Sequence, residues 1–141
     1  MKYDFPIRSE EMLAENHGVV LFYFDSATSC GWFLRRMEYL SNEIGSGIDA
    51  VCCTFSEEED AEGDFEGVEF AFQHGGEVVL NYLQFIYYYE LACNRYIERY
   101  PEHREVLEDY MAKVRKRYGV EGPYERDSKT LWEWLGFCKG S

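Results

Sequence analysis

The chain has 141 residues, 46% of them apolar, with 12 Tyr, 10 Phe and 3 Trp, and a formal net charge of −13. That length suits one domain with a real core, and so much apolar surface can offset chain entropy, which excludes a disordered acidic chain. The charge is uneven: residues 51–90 hold ten Asp or Glu and no Lys or Arg, whereas 1–50 sum to −4 and 91–141 to +1; nucleic acid and anionic membranes are therefore poor partners for the middle of the chain, and a basic protein is a good one.

The start, Met1-Lys2-Tyr3-Asp4-Phe5-Pro6, lacks a basic segment followed by an apolar one, so no signal peptide is expected, and no apolar run nears the ~18 residues of a membrane span. Cys30, Cys52, Cys53, Cys93 and Cys138 are odd in number and form no C-x-x-C, which fits a reduced, cytoplasmic protein. Ser9 is placed to cap a short helix, with Glu10 and Glu11 in its first turn, Met12 and Leu13 to bury and Gly18 to end it. Residues 19–25, β-branched and aromatic, read as a central strand. Ser29 then opens a helix over 29–44, on which Phe33, Met37, Leu40 and Ile44 form one stripe with Trp32 at its flank and Arg35 and Arg36 off it; Gly45 and Gly47 stop it. Residues 50–55 form a second strand, in which Cys52 and Cys53 point to opposite faces and cannot share a metal.

Seven carboxylates follow in ten positions: Glu57, Glu58, Glu59, Asp60, Glu62, Asp64 and Glu66. The segment has no apolar periodicity and reads as a loop inside a 58-residue stretch, 37–94, without Lys or Arg. Strands at 67–73 and 77–81 come next, joined by a turn at 73–76, with Val68, Phe70 and Phe72 on one face and Glu69 on the other. A helix over 82–100 carries Leu83, Ile86, Tyr89, Cys93, Ile97 and Tyr100 on a wide apolar face, and Glu90 beside that arc reads as a carboxylate paired at the edge of the core. Pro101 opens a helix over 101–118 that buries Val106, Leu107, Tyr110, Met111, Val114 and Tyr118, with an Asp109–Lys113 pair; Lys113, Arg115, Lys116 and Arg117 near its end compensate the helix dipole. The tail, 119–141, holds Trp132, Trp134 and Phe137 and is expected to dock on the body. The whole predicts an α+β fold: one mostly antiparallel sheet of about four strands packed against three main helices.

Catalytic signatures are scarce. P-loop, dinucleotide, H-E-x-x-H and G-x-S-x-G motifs are absent, and His17, His74 and His103 are far apart in sequence. Asp60, Glu62 and Asp64 have calcium-loop spacing, but Phe65 stands where that loop needs Gly and Ala71 where it needs Glu. No cofactor or metal is expected, and an exposed acidic loop lacks the burial that tunes carboxylates for catalysis.

Two groups of residues resemble a known family. One is Val51-Cys52-Cys53-Thr54-Phe55, the acidic loop, and Phe65-Glu66-Gly67-Val68-Glu69-Phe70. The other is Glu77-Val78-Val79-Leu80 followed by the 88–102 segment with its Leu91-Ala92-Cys93-x-x-Tyr96-Ile97 core. Over about residues 15–118 the chain is similar to immunity proteins of contact-dependent growth inhibition systems, in the group protecting against ribonuclease toxins. The resemblance implies a non-enzymatic cytoplasmic protein that binds a cognate nuclease toxin domain. The charge argument then nominates the surface: Glu57, Glu58, Glu59, Asp60, Glu62, Asp64, Phe65, Glu66 and Glu69 would meet a basic nuclease at the groove where it binds phosphate. High net charge favours a monomer when free. The other readings are an acidic interaction adaptor and a carboxylate-based metal enzyme; the latter needs a pocket where Glu90 meets a His or Cys.

Overall fold

Alternating burial along the middle of the chain produces one antiparallel sheet. A computed structural model describes residues 5–48, 50–56 and 66–120. In it the strands β1 (Ser46–Ile48), β2 (Val51–Phe55), β3 (Val68–Phe72) and β4 (Glu77–Leu80) lie side by side in sequence order. Val51, Cys53, Phe55, Val68, Phe70, Val78 and Leu80 are buried on the inner face. As expected, Cys52 and Cys53 part company: Cys52 is exposed and Cys53 buried.

One expected strand is a helix. Residues 19–25 belong to α1 (Gly18–Ser29), in which Val19, Val20, Leu21, Tyr23, Phe24, Ser26 and Ala27 are all buried. A helix buried nearly all round shows no amphipathic period, and its β-branched and aromatic residues imitate a buried strand. Gly18 starts this helix instead of ending the previous one, and Ser29 is its last residue, not the cap of the next. The stop is Gly31 at φ +73, where the Gly31 N–H bonds Thr28 O (3.2 Å) and the Trp32 N–H bonds Ala27 O (3.0 Å). That pair of bonds is the usual helix ending built on a left-handed residue. The place of the missing strand is taken by β1, in the glycine-rich stretch expected only to break a helix.

The following helix is correspondingly shorter, α2 (Phe33–Ser41). It ends before Gly45, at Glu43, which holds φ +57 while the Ile44 N–H bonds Tyr39 O (2.9 Å). Phe33, Met37 and Leu40 are buried as the stripe requires, but Ile44, beyond the new end, is 48% exposed. Near the N-terminus the expected helix is two 3-10 turns, Ser9–Glu11 and Glu15–His17.

The last two helices follow their periodicity, α3 (Tyr82–Arg99) and, after a 3-10 turn at Pro101–His103, α4 (Arg104–Arg117), except that Tyr100, expected on the apolar face, lies past the end of α3 and is 37% exposed. Asn81 caps α3, its side chain accepting from the Gln84 N–H (2.8 Å) while Gln84 accepts from the Asn81 N–H (3.0 Å). Such a reciprocal cap contributes about 1 kcal/mol. Tyr87, Tyr88 and Tyr89 are all buried and each hydroxyl is used. Tyr87 donates to Glu11 O (2.9 Å), Tyr89 to Met37 O (2.7 Å), and the Tyr88 oxygen accepts from the Leu13 N–H (2.8 Å). These bonds fasten the N-terminal turns and α2 to α3.

Helices α1 and α3 cover the inner face of the sheet. Tyr23 meets Phe70 edge-on (5.3 Å between centroids), and Phe55 meets Phe85 likewise (5.6 Å). α4 packs on α2 and α3, and α2 on α1. The result is an α+β fold with the helices gathered on one side of the sheet. The tail expected to dock lies outside the described residues.

Candidate functional site

The side of the sheet turned away from the helices carries two cross-strand rows. Gly47, Cys52, Ala71 and Glu77 are register partners across all four strands, and Thr54, Glu69 and Val79 across three. Gly47, Cys52, Glu77 and Val79 are exposed; Thr54, Glu69 and Ala71 are half-buried. All four strands lie within the cation-free stretch, so no strand supplies a positive charge to this face.

The acidic segment begins and ends on this sheet. The Ser56 N–H bonds Gly67 O (3.1 Å), and the Gly67 N–H bonds the Ser56 hydroxyl (3.2 Å), which also meets the Tyr82 hydroxyl (3.1 Å). Tyr82 in turn stacks on Tyr118 of α4 with centroids 4.3 Å apart. Of the predicted contact residues, Glu57, Glu58, Glu59, Asp60, Glu62, Asp64 and Phe65 lie outside the described residues. Glu66 is exposed where the chain returns to β3, and Glu69 stands in the outer row between Thr54 and Val79.

Cations gather on the helical side, where many are engaged. Arg95 pairs with Glu11 (2.9 Å), Arg117 with Glu43 (3.3 Å) and Arg115 with Glu90 through two nitrogens. Lys113, expected to pair along its own helix with Asp109, reaches Asn42, and Arg36 lies over the rings of Trp32 and Tyr39. The basic end of α4 therefore does more than complement its helix dipole: Lys113, Arg115 and Arg117 tie α4 to α3 and to the end of α2. Sequence reading missed these pairings because the partners, Asn42, Glu43 and Glu90, are 25 to 74 residues away.

Glu90, Cys93 and His17 are built into the core. Glu90 is buried (4% exposed) and held by Arg115, as the paired-carboxylate reading expected. Its neighbour Cys93 is fully enclosed; burial, and next the charge of Glu90, push its thiol well above the ordinary range. That is the reverse of what a nucleophile needs. His17 is buried with Nδ1 2.7 Å from the Tyr88 hydroxyl. No three His, Cys, Asp or Glu side chains group as metal ligands among the described residues. An open groove of about 590 Å³ lies between Met12, Val19 and Phe22 on one side and Phe72, Gly76 and Glu77 on the other, with Glu15 at its rim. It contains neither Glu90 nor a cysteine.

Burial lowers the His17 pKa below its ordinary 6.5. The unfolded chain then binds the proton more readily than the folded one, so this group's stability contribution is complete above about pH 6.5 and shrinks as pH falls towards the folded value. Urea midpoints are expected to hold from pH 8 to 7 and to fall between pH 6.5 and 5.5. His17→Gln, which keeps a hydrogen-bonding group and cannot charge, should flatten that fall; an equally steep fall in the variant would assign it to other groups.

Among the described residues no helix is long and apolar enough to cross a membrane. Comparison with curated proteins gives no match. A family model described as CDI immunity protein matches residues 14–111, a span running from the second 3-10 turn through the whole sheet, α3 and most of α4. With more than half of its length matched by that model, the chain belongs to the CDI immunity protein family.

Proposed function

We propose that the toxin neutralised by this CDI immunity protein is a basic nuclease, a ribonuclease by the resemblance noted above, and that acidic side chains on and beside the sheet occupy its phosphate-binding groove. The observation that carries this reading is the segregation of charge. Strands β1 to β4 and the β2–β3 connection hold carboxylates and no cation, while described cations sit on the helical side, several already paired with Glu11, Glu43 and Glu90. A field of one sign steers an oppositely charged partner and speeds association about 10- to 1000-fold. A groove built to neutralise phosphates offers that opposite sign. The protein acts in the cytoplasm of the cell that makes the toxin, as a monomer until it binds, without a cofactor and without catalysis of its own.

The test uses the toxic domain encoded immediately upstream of this gene. In vitro it should cleave RNA, and the wild-type protein should stop it at equimolar ratio. Charge reversal at three acidic-segment positions, Glu58→Lys, Asp60→Lys and Asp64→Lys together, should slow association at least 10-fold at low salt, with the rates converging in high salt. Unchanged association and salt dependence would remove this segment as the steering surface. A toxin with no action on nucleic acid would end the nuclease reading and leave family membership intact.

A further inference from the structure

We infer that the outer face of the sheet, centred on Cys52, Glu69, Ala71 and Val79, is the surface on which the toxin domain seats; this rests on the reading of a basic partner and assigns it a place. The helices occupy the inner face, through α1 and α3, and the outer rows are exposed or half-buried. Val79 in particular is 40% exposed, an apolar side chain amid carboxylates. Charge complementarity names the occupant. With no Lys or Arg on any strand, and Glu69 and Glu77 in its rows, the face attracts a basic surface. It repels nucleic acid, and a second copy meeting it face to face would set carboxylates against carboxylates.

Continuity supports the same assignment. The acidic segment leaves β2 at Ser56 and rejoins β3 at Gly67, two residues joined by hydrogen bonds, with exposed Glu66 beside them. Those two described ends lie at the end of the sheet that displays Thr54 and Glu69. The strands are paired in register across the sheet, and the outer rows combine short side chains (Gly47, Cys52, Ala71, Thr54) with Val79 as an apolar contact. With Glu69 and Glu77 the only long side chains in these rows, a partner can approach closely while ordering few of them, which lowers the entropic cost of binding.

Cys52 is exposed within this face and Cys30 is exposed at the end of α1, so the native protein carries its own reporter and control. The experiment measures N-ethylmaleimide labelling, resolved by peptide, for the protein alone and in complex with the toxin domain encoded upstream. Cys52 should be protected at least 10-fold and Cys30 unchanged. Val79→Lys and Ala71→Lys should each weaken binding of that domain about 100-fold, while Ser29→Lys, an equal charge change at the exposed last residue of α1 on the helical side, should not. Circular dichroism melting confirms that each variant is folded. Full Cys52 reactivity in a stable complex, or wild-type binding by folded Val79→Lys, overturns the inference and leaves the basic-partner reading standing. Failure of the wild-type protein to bind the domain overturns both. Protection of Cys52 that grows with protein concentration in the absence of toxin, together with dimer in sedimentation, gives the face to a second copy and overturns the assignment.

Discussion

Arg115→Ala is expected to lower the unfolding free energy by about 3–5 kcal/mol, the cost of leaving a buried charge without its partner. Glu90 projects from α3 into the core, and Arg115 from α4 meets both of its oxygens. The Glu90 side chain is 6% exposed and that of Arg115 25%. Without the guanidinium the carboxylate remains beside Tyr89 and Cys93, and water can enter through the space Arg115 vacates. That space is partly open, which sets the expectation nearer 3 than 5 kcal/mol. The worth of the pair itself is a separate matter, because both ions gave up hydration to form it. The double variant Glu90→Leu with Arg115→Met should therefore be more stable than Arg115→Ala, since it buries no unpaired charge. Urea unfolding at pH 7, followed by circular dichroism, measures all three. A loss below about 1 kcal/mol for Arg115→Ala would mean that the pair behaves as a surface ion pair.

Gly67→Ala is expected to cost about 3 kcal/mol or more, by a different route. Gly67 adopts φ +129, and a Cβ placed on it would lie 2.0 Å from the carbonyl oxygen of Leu80 and 3.1 Å from its carbon. Neither atom belongs to a flexible side chain. Leu80 is the register partner of Val68 and precedes Asn81, the cap of α3. Relieving the clash means separating β3 from β4 at the end where α3 begins. Gly75→Ala is the comparison: it also has positive φ, +108, but a Cβ there meets nothing within 4 Å. Backbone strain alone should cost about 1–2 kcal/mol at Gly75, and the excess at Gly67 measures the close approach. Equal losses at the two positions would show that contact with Leu80 O is relieved cheaply. Since Gly67 also bonds Ser56 across the ends of the acidic segment, the Gly67 variant should bind toxin more weakly under the proposed function.

The two variants fall on opposite sides of what could be read before the fold was known. Gly67 was legible as the entry to a strand, because Val68, Phe70 and Phe72 alternate with Glu69 and Ala71 behind it. Glu90 was legible as a paired carboxylate, because it stands at the edge of a wide apolar face on a long helix. Its partner was not, because nothing local links Glu90 to a residue 25 positions on. The proposed contact surface divides likewise. Its sign came from counting charges over the 58-residue stretch without Lys or Arg. Its setting came from the strand register, which places Cys52, Ala71 and Glu77 in one row and Thr54, Glu69 and Val79 in the next.

Sequence alone determined the elements whose burial is one-sided. β2, β3, β4, α3 and α4 each carry an apolar stripe at the period of their own geometry, and the charge distribution from which a basic partner is proposed needs no coordinates. Tertiary structure decided α1. Buried on nearly every side, its residues carry no stripe, and a run of β-branched and aromatic side chains reads as a strand until the helix ending at Gly31 is seen. It also decided where the cations of α4 go, and with them which side of the molecule keeps its negative field. Periodicity reports how one element meets a core, whereas the pairing of distant charges depends on how several elements meet one another.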